Sequence, residues 1–215
     1  MSSGVLISLE GIDGCGKSTQ AEALCARLAA LGWPVGPAGA PGSAIREPGG
    51  TPAGEQVREI LLHGPDHLAP WTEALLYAAA RAELVARVLR PALDDGRVLV
   101  LDRYLDSSLA YQGYARGLGV DAVRAVNAPG VGDVLPDLTV VLVVNPELGL
   151  ARSAGTSDRI EREGVAFQAR VAEGFAELAR RFPKRVRLVD GERPPAEVTD
   201  AVLALVEPLL ERRRV

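Results

Sequence analysis

One stretch narrows the choice of folds more than any other: Gly11-Ile12-Asp13-Gly14-Cys15-Gly16-Lys17-Ser18-Thr19. It satisfies the pattern Gly, four residues, Gly-Lys-Ser/Thr that wraps a phosphate group. Its flanks fit too. Val5-Leu6-Ile7-Ser8-Leu9 is short and mostly apolar, as a buried parallel strand is. Gln20 to Leu31 is rich in helix formers and is stopped by Gly32. Between strand and helix, glycines let backbone N–H groups curl around a phosphate, and the helix N-terminus adds its positive end. In such a loop Lys17 reaches the outer phosphates and the Ser18 hydroxyl ligates magnesium. The bland alternative is a glycine-rich turn; the agreement of pattern, strand and helix favours the phosphate site.

At 215 residues we read 1–215 as one domain with ample core. A formal net charge of −4 gives no support for non-specific nucleic-acid binding. No apolar run is long enough to span a membrane, so no membrane partner is expected. Cys15 and Cys25 form no Cys-x-x-Cys pair and no zinc pattern with His63 and His67. Two reduced thiols, together with no secretory signal ahead of the first strand, predict a cytoplasmic protein.

Trp33 to Ala44 is dense in Pro and Gly and reads as a surface loop, leaving a short second strand near Ala44-Ile45-Arg46. Thr51-Pro52 reads as N-cap and first residue of a helix closed by Gly64, with Val57, Ile60 and Leu61 at helical spacing. A longer helix is predicted from about Thr72 to Leu93. Leu75, Leu76, Leu84, Val85, Val88 and Leu89 form its buried stripe, and Pro91 bends or ends it. Val98–Leu101, Leu138–Val144 and Val186–Val189 read as strands. Glu163–Arg181 and Glu197–Arg213 read as helices, the latter broken at Pro208. Alternating strands and helices imply a parallel sheet with right-handed crossovers, and ligands bind beyond its carboxyl edge. The phosphate loop and Asp102-Arg103 both fall at strand ends and should share a cleft.

Asp102 ends an apolar strand, where a carboxylate can stand near magnesium; the bland reading is a loop cap. Arg103 beside it suits a phosphate acceptor. Arg46 heads another strand-end loop and could grip the same anion, or could form a surface ion pair with Glu47.

Several blocks of the sequence resemble bacterial thymidylate kinase. They are Gly11–Thr19, Arg46-Glu47-Pro48-Gly49-Gly50-Thr51, Asp102-Arg103-Tyr104 with Ser107-Ser108-Leu109-Ala110-Tyr111-Gln112-Gly113, Pro136-Asp137-Leu138-Thr139 and Asp158-Arg159-Ile160-Glu161. They occur in that family's order over most of the chain. The resemblance implies a three-layer α/β P-loop fold with a five-stranded parallel sheet flanked by helices, and a homodimer. It implies phosphoryl transfer from MgATP to dTMP, giving ADP and dTDP.

The resemblance also implies roles. Gly11, Ile12, Asp13, Gly14, Cys15, Gly16, Lys17, Ser18 and Thr19 match the ATP-binding loop, with Ser18 and Asp102 on magnesium. Asp13 matches an acid that approaches the acceptor's sugar and phosphate, and Arg103 and Arg46 match positions around the dTMP phosphate. Tyr77 matches the ring that stacks on thymine; Arg81, Ser108 and Gln112 match positions that hydrogen-bond the base. Tyr111 matches the ring that disfavours a 2′-hydroxyl, and Arg58 borders the pocket. Tyr77 and Arg81 lie four apart and share a helix face; so do Ser108 and Gln112 if their stretch is helical. Taken singly, Tyr77 and Tyr111 could be half-buried core aromatics.

In this family a phosphate loop without arginine, as here with Gly14 and Cys15, draws its catalytic arginine from a lid, about residues 152–162. Arg159 is the first choice, Arg152 the second and Arg162 the third, and the stretch around Gly155 should be mobile. The lid is shorter than usual, the 33–44 loop is longer, and Val143 stands where the family often has Asp. A GTP-dependent switch is disfavoured because no Asn-Lys-x-Asp occurs. A kinase for another monophosphate and a dTMP-binding protein without turnover are the other readings.

Overall fold

The computed structural model describes residues 4–153 and 159–213. Strands β1 (Val5–Glu10), β2 (Ile45–Arg46), β3 (Val98–Asp102), β4 (Leu138–Val143) and β5 (Val186–Asp190) form one parallel sheet in the order β2-β3-β1-β4-β5. β1 is buried at every position because both faces of the sheet are covered, which explains its unbroken apolar run. The register pairs Leu9 with Asp102 and Glu10 with Val141. The loops after β1 and β3 therefore leave the sheet at one level, on one edge.

The helices are α1 (Lys17–Ala30), α2 (Pro52–His63), α3 (Pro70–Leu84), α4 (Arg90–Asp94), α5 (Leu105–Ser108), α6 (Val120–Val131), α7 (Pro146–Ser153), α8 (Gly164–Arg181) and α9 (Pro195–Glu211). Right-handed crossovers put α1 beside α9 on one face of the sheet, and α3, α6 and α8 on the other. This is the predicted three-layer α/β arrangement with five strands. No helix of the described residues is long and apolar enough to cross a membrane.

Several local expectations hold and others are corrected. Thr51 caps α2 by accepting the Gly54 N–H at 3.0 Å, with Pro52 as first residue and Gly64 just past the end. Ile60, however, is 44% exposed; Leu61 is buried as its spacing implies, with Leu62 beside it. The long helix starts at Pro70 and does not end at Pro91. It widens into a π turn over Val85–Leu89 and continues as α4. In a regular helix the Pro91 ring would clash with the carbonyl four residues back, and the wide turn lies just before it. Leu75, placed in the buried stripe, is 53% exposed. Pro208 does not break α9, which runs through it to Glu211. The 33–44 loop makes one isolated bridge, Val35 to Val98, and no strand. The Ser108–Gln112 stretch is helical, α5 passing into a second π turn at Leu109–Ala115.

Candidate active site

A cleft of about 340 Å³ opens at the carboxyl edge of the sheet, with the phosphate loop in its wall. Gly11, Gly14 and Gly16 adopt φ of 138°, 72° and 95°, a range glycine enters freely. Gly14 lacks a side chain for a second reason. A Cβ there would stand 1.9 Å from the Gly149 carbonyl oxygen, and one on Gly149 would stand 2.6 Å from that of Asp13. α7 therefore rests directly on the loop, glycine against glycine. Gly16 is the N-cap of α1. Lys17 folds back, its Nζ donating to the Ile12 carbonyl at 2.7 Å and lying 3.5 Å from Cys15 Sγ. Ser18 Oγ donates to Asp102 Oδ2 at 2.5 Å, so hydroxyl and carboxylate meet at the head of α1.

Arg103 leaves β3 with φ of 71°, the one non-glycine residue with positive φ among those described. That turn brings its guanidinium to the Gly11 carbonyl and Ser107 Oγ, both at 3.1 Å, to the Tyr111 hydroxyl at 3.3 Å, and into an ion pair with Asp13. It also stands 5.1 Å from the centroid of the Tyr111 ring. Gln168 on α8 donates to the Asp13 carboxylate at 2.7 Å. Burial alone would push the Asp13 carboxyl up, but the Arg103 and Lys17 charges and the Gln168 bond outweigh it and hold the group below its usual range.

Glu10, fully buried, lies beneath this corner. It accepts from the Tyr104 N–H at 2.8 Å and from Ser107 Oγ at 2.6 Å. Burial, reinforced by the Asp106 charge, pushes its carboxyl up to about 8. Glu10 thus fixes the start of α5 and the hydroxyl on which Arg103 leans.

On the opposite wall Arg81 is buried. It pairs with Glu47 at 2.9 Å, donates to Asn127 Oδ1 at 2.5 Å and to the Tyr104 carbonyl at 3.2 Å. Tyr77, four residues earlier on α3, is half-buried and lines the cleft. One more step of four back along α3 lies Glu73, 1% exposed. It accepts from Gln112 at 2.9 Å, from Arg116 at 3.2 Å and from Arg159 at 2.7 Å. Burial opposes its charge, yet those three donors hold the Glu73 carboxyl below the usual range.

A family model for thymidylate kinase matches residues 9–202. A thymidylate kinase of Pelotomaculum thermopropionicum is 46% identical over 212 residues, covering 97% of this chain and 95% of that one. One of Deinococcus radiodurans is 46% identical over 208 residues, covering 96% and 98%. A crystal structure of thymidylate kinase from Ehrlichia chaffeensis superposes with a TM-score of 0.75 at 29% identity, covering 94% of this chain and 98% of that one. The chain belongs to the thymidylate kinase family.

Of the residues that the family resemblance singled out, the fold brings Asp13, Gly14, Lys17, Ser18, Arg46, Arg58, Tyr77, Arg81, Asp102, Arg103, Ser108, Tyr111 and Gln112 to the walls of this one cleft. Arg46 pairs at 3.6 Å with Glu55; the alternative partner, Glu47, points inward to Arg81 instead. Arg58 donates to the Pro48 carbonyl at 3.0 Å, beside the cis Glu47–Pro48 bond. Tyr111 is a buried ring in edge contact with Phe167 and Phe175 as well as a cleft wall. Ser108 Oγ is buried with no partner of its own.

The arginines flanking the lid are placed less uniformly. Arg159, the first choice for the catalytic cation, is buried, donating to the Leu61 carbonyl at 2.9 Å besides its pair with Glu73. Arg162 pairs with Asp66 at 3.1 Å on the surface. Arg152 sits on the last turn of α7, exposed, 3.3 Å from the Gly191 carbonyl. Gly155, with the stretch expected to be mobile, and Asp158 lie outside the described residues.

Sequence reasoning did not single out Glu10, Glu73, Arg116 or Gln168. Glu73 left a signal: Glu73, Tyr77 and Arg81 share one spacing of four, hence one helix face. Gln168 left none, since its partner Asp13 is remote in the chain.

Proposed function

We propose that this protein transfers the γ-phosphoryl group of ATP to dTMP, forming ADP and dTDP. The observation that carries the reading is the shared cleft. Phosphate-loop Lys17, the Asp13–Arg103 pair and the Tyr77, Ser108 and Gln112 side chains line it together. A phosphoryl donor held on the loop and a base held among Tyr77, Ser108 and Gln112 would bring an acceptor phosphate to Arg103, between them. In this chemistry the protein's work is positioning and neutralising charge.

Arg103 and Arg46 hold the acceptor phosphate in this reading, and Asp13 faces the acceptor's sugar. Lys17, already turned over the loop, meets the transferring group. Tyr77 stacks on the base and Tyr111 crowds the sugar at the 2′ position. The exposed Arg152, at the end of the helix that rests on Gly14, supplies the catalytic cation in this reading.

Magnesium fits the residues present. Ser18 Oγ and an Asp102 oxygen are hard donors side by side, and Mg²⁺ takes few protein ligands when phosphates supply the rest. Among the described residues no cluster of three His, Cys, Asp or Glu side chains offers a separate all-protein cage. The bound ion would neutralise charge on the phosphates.

A homodimer and a cytoplasmic setting belong to the same reading. Ile60, Trp71 and Leu75, exposed on neighbouring helices α2 and α3, offer an apolar face, and Cys15 and Cys25 are unpaired. The test is ADP release coupled to each of dTMP, dUMP, UMP, dCMP, AMP and GMP. The reading expects dTMP to be preferred, dUMP weaker and ribonucleotides weaker still; equal use of UMP or no use of dTMP overturns it.

A further inference from the structure

Glu73 does not line the cleft and is not among the groups assigned to the reaction, yet it is buried and accepts from three side chains. Its Oε1 accepts Gln112 Nε2 at 2.9 Å and Arg116 Nε at 3.3 Å; its Oε2 accepts Arg116 at 3.2 Å and Arg159 at 2.7 Å. A carboxylate so surrounded only accepts. Gln112 must therefore turn its NH₂ end toward Glu73. The other end of that amide, the carbonyl Oε1, makes no bond within the described chain. Gln112 lines the cleft, so this oxygen is left for a ligand.

We propose that Glu73 is a specificity-determining positioning residue: by locking the Gln112 amide, it presents a carbonyl acceptor to the base and selects bases with a ring N–H. This deepens the dTMP reading and rests on it. A 4-oxopyrimidine, thymine or uracil, carries a donor at ring position 3. Cytosine carries a lone pair there, and an acceptor facing an acceptor forfeits the bond and leaves two buried polar atoms unpaired. The two arginines make the lock one-way. Arg159, anchored on the Leu61 carbonyl, and Arg116, anchored on Glu163 at 2.6 Å, keep Glu73 from ever offering a proton to Gln112. Ser108, unpartnered and buried on the same wall, has a rotatable hydroxyl and can serve either base, so of these two side chains it is Gln112 that discriminates at ring position 3.

The test is Glu73→Gln, which keeps shape and an acceptor for the arginines but lets Gln112 flip. kcat/KM is compared for dTMP, dUMP and dCMP. The dTMP:dCMP preference should fall on the order of tenfold, because both amide orientations become available. The dTMP:dUMP preference should not move, because the two bases share N3–H and differ only by a methyl group. A general loosening of the pocket would erode both ratios; if it does, or if neither changes, the proposal is wrong. In a Gln112→Ala background, Glu73→Gln should leave the dTMP:dCMP ratio unaltered. If Glu73→Gln does not fold, the native protein still decides. The Gln112 side-chain amide protons, followed by NMR, should keep their carboxylate-bonded signature when dTMP is added, and its loss on binding overturns the lock. Failure of the native protein to use dTMP at all would instead overturn the proposed function.

Discussion

Asp13–Arg103 and Glu73–Arg159 are both carboxylate–guanidinium pairs on the same side of the sheet, but they differ in access. The first pair is 19% exposed at each side chain and lies on the cleft wall; the second is 1% and 4% exposed and lies behind it. Arg103 can exchange a partner for an incoming phosphate because water already reaches it. Freeing Arg159 would mean unpacking it from the Leu61 carbonyl and leaving Glu73 buried with one fewer counter-charge. Two arginines in equally suggestive sequence blocks thus differ in what they are free to do: Arg103 stands open to the cleft, while Arg159 fastens the chain to α2 and α3. That contrast is why the proposed function gives the lid cation to Arg152, which is exposed at the end of α7, rather than to Arg159.

The strongest way to break the comparison is at the phosphate loop. Lys17→Ala removes the charge that meets the transferring group, and turnover should fall on the order of a thousandfold or more while thermal unfolding stays near that of the parent. Next comes the arginine pair, read by steady-state kinetics together with denaturant unfolding. Arg152→Ala should cost on the order of a hundredfold in kcat with little change in stability or in dTMP affinity. Arg159→Ala should keep turnover within about tenfold but lose about 3 kcal/mol of stability, because a buried pair is broken. The reverse pattern, a collapse in kcat for Arg159→Ala with stability intact, returns the catalytic role to Arg159.

The smallest effect sharpens the account of what lies under Arg103. Glu10 titrates near 8 in the folded protein against about 4.5 when free, because burial and the Asp106 charge oppose its ionised form. Its folded pKa is raised, so the stability it contributes is whole below pH 4.5 and is lost as pH climbs through 8. Glu10→Gln keeps an acceptor for Tyr104 and Ser107 but has no proton to lose. Its unfolding midpoint should decline less between pH 5 and pH 9 than that of the parent, and an equal decline contradicts the assignment.

What was legible in the sequence was what is decided locally or by runs. The glycines at 11, 14 and 16 announce a left-handed loop, Thr51-Pro52 announces a helix start, and the apolar runs of β1, β3 and β4 announce a buried parallel sheet. The family resemblance added the five-strand count and gathered most of the cleft residues. What escaped depends on partners distant in the chain. Nothing near Arg159 says that it lies against Glu73, and nothing near Gly149 says that it presses on Gly14. The periodicity that placed Leu75 in the core cannot distinguish a face covered by the sheet from one left open to solvent. Pro208 was read as a break, and Pro91 as a bend or an end, because a local rule sees the missing N–H but not the packing around it.

The most direct test of the central claim, that this cleft moves a phosphoryl group between nucleotides rather than merely binding or hydrolysing one, is to follow ³¹P NMR of the native protein with MgATP and dTMP. The account predicts that dTDP and ADP rise together in equal amounts, with no matching inorganic phosphate. Loss of ATP to ADP and free phosphate while dTMP persists, or no loss of ATP at all, would contradict it.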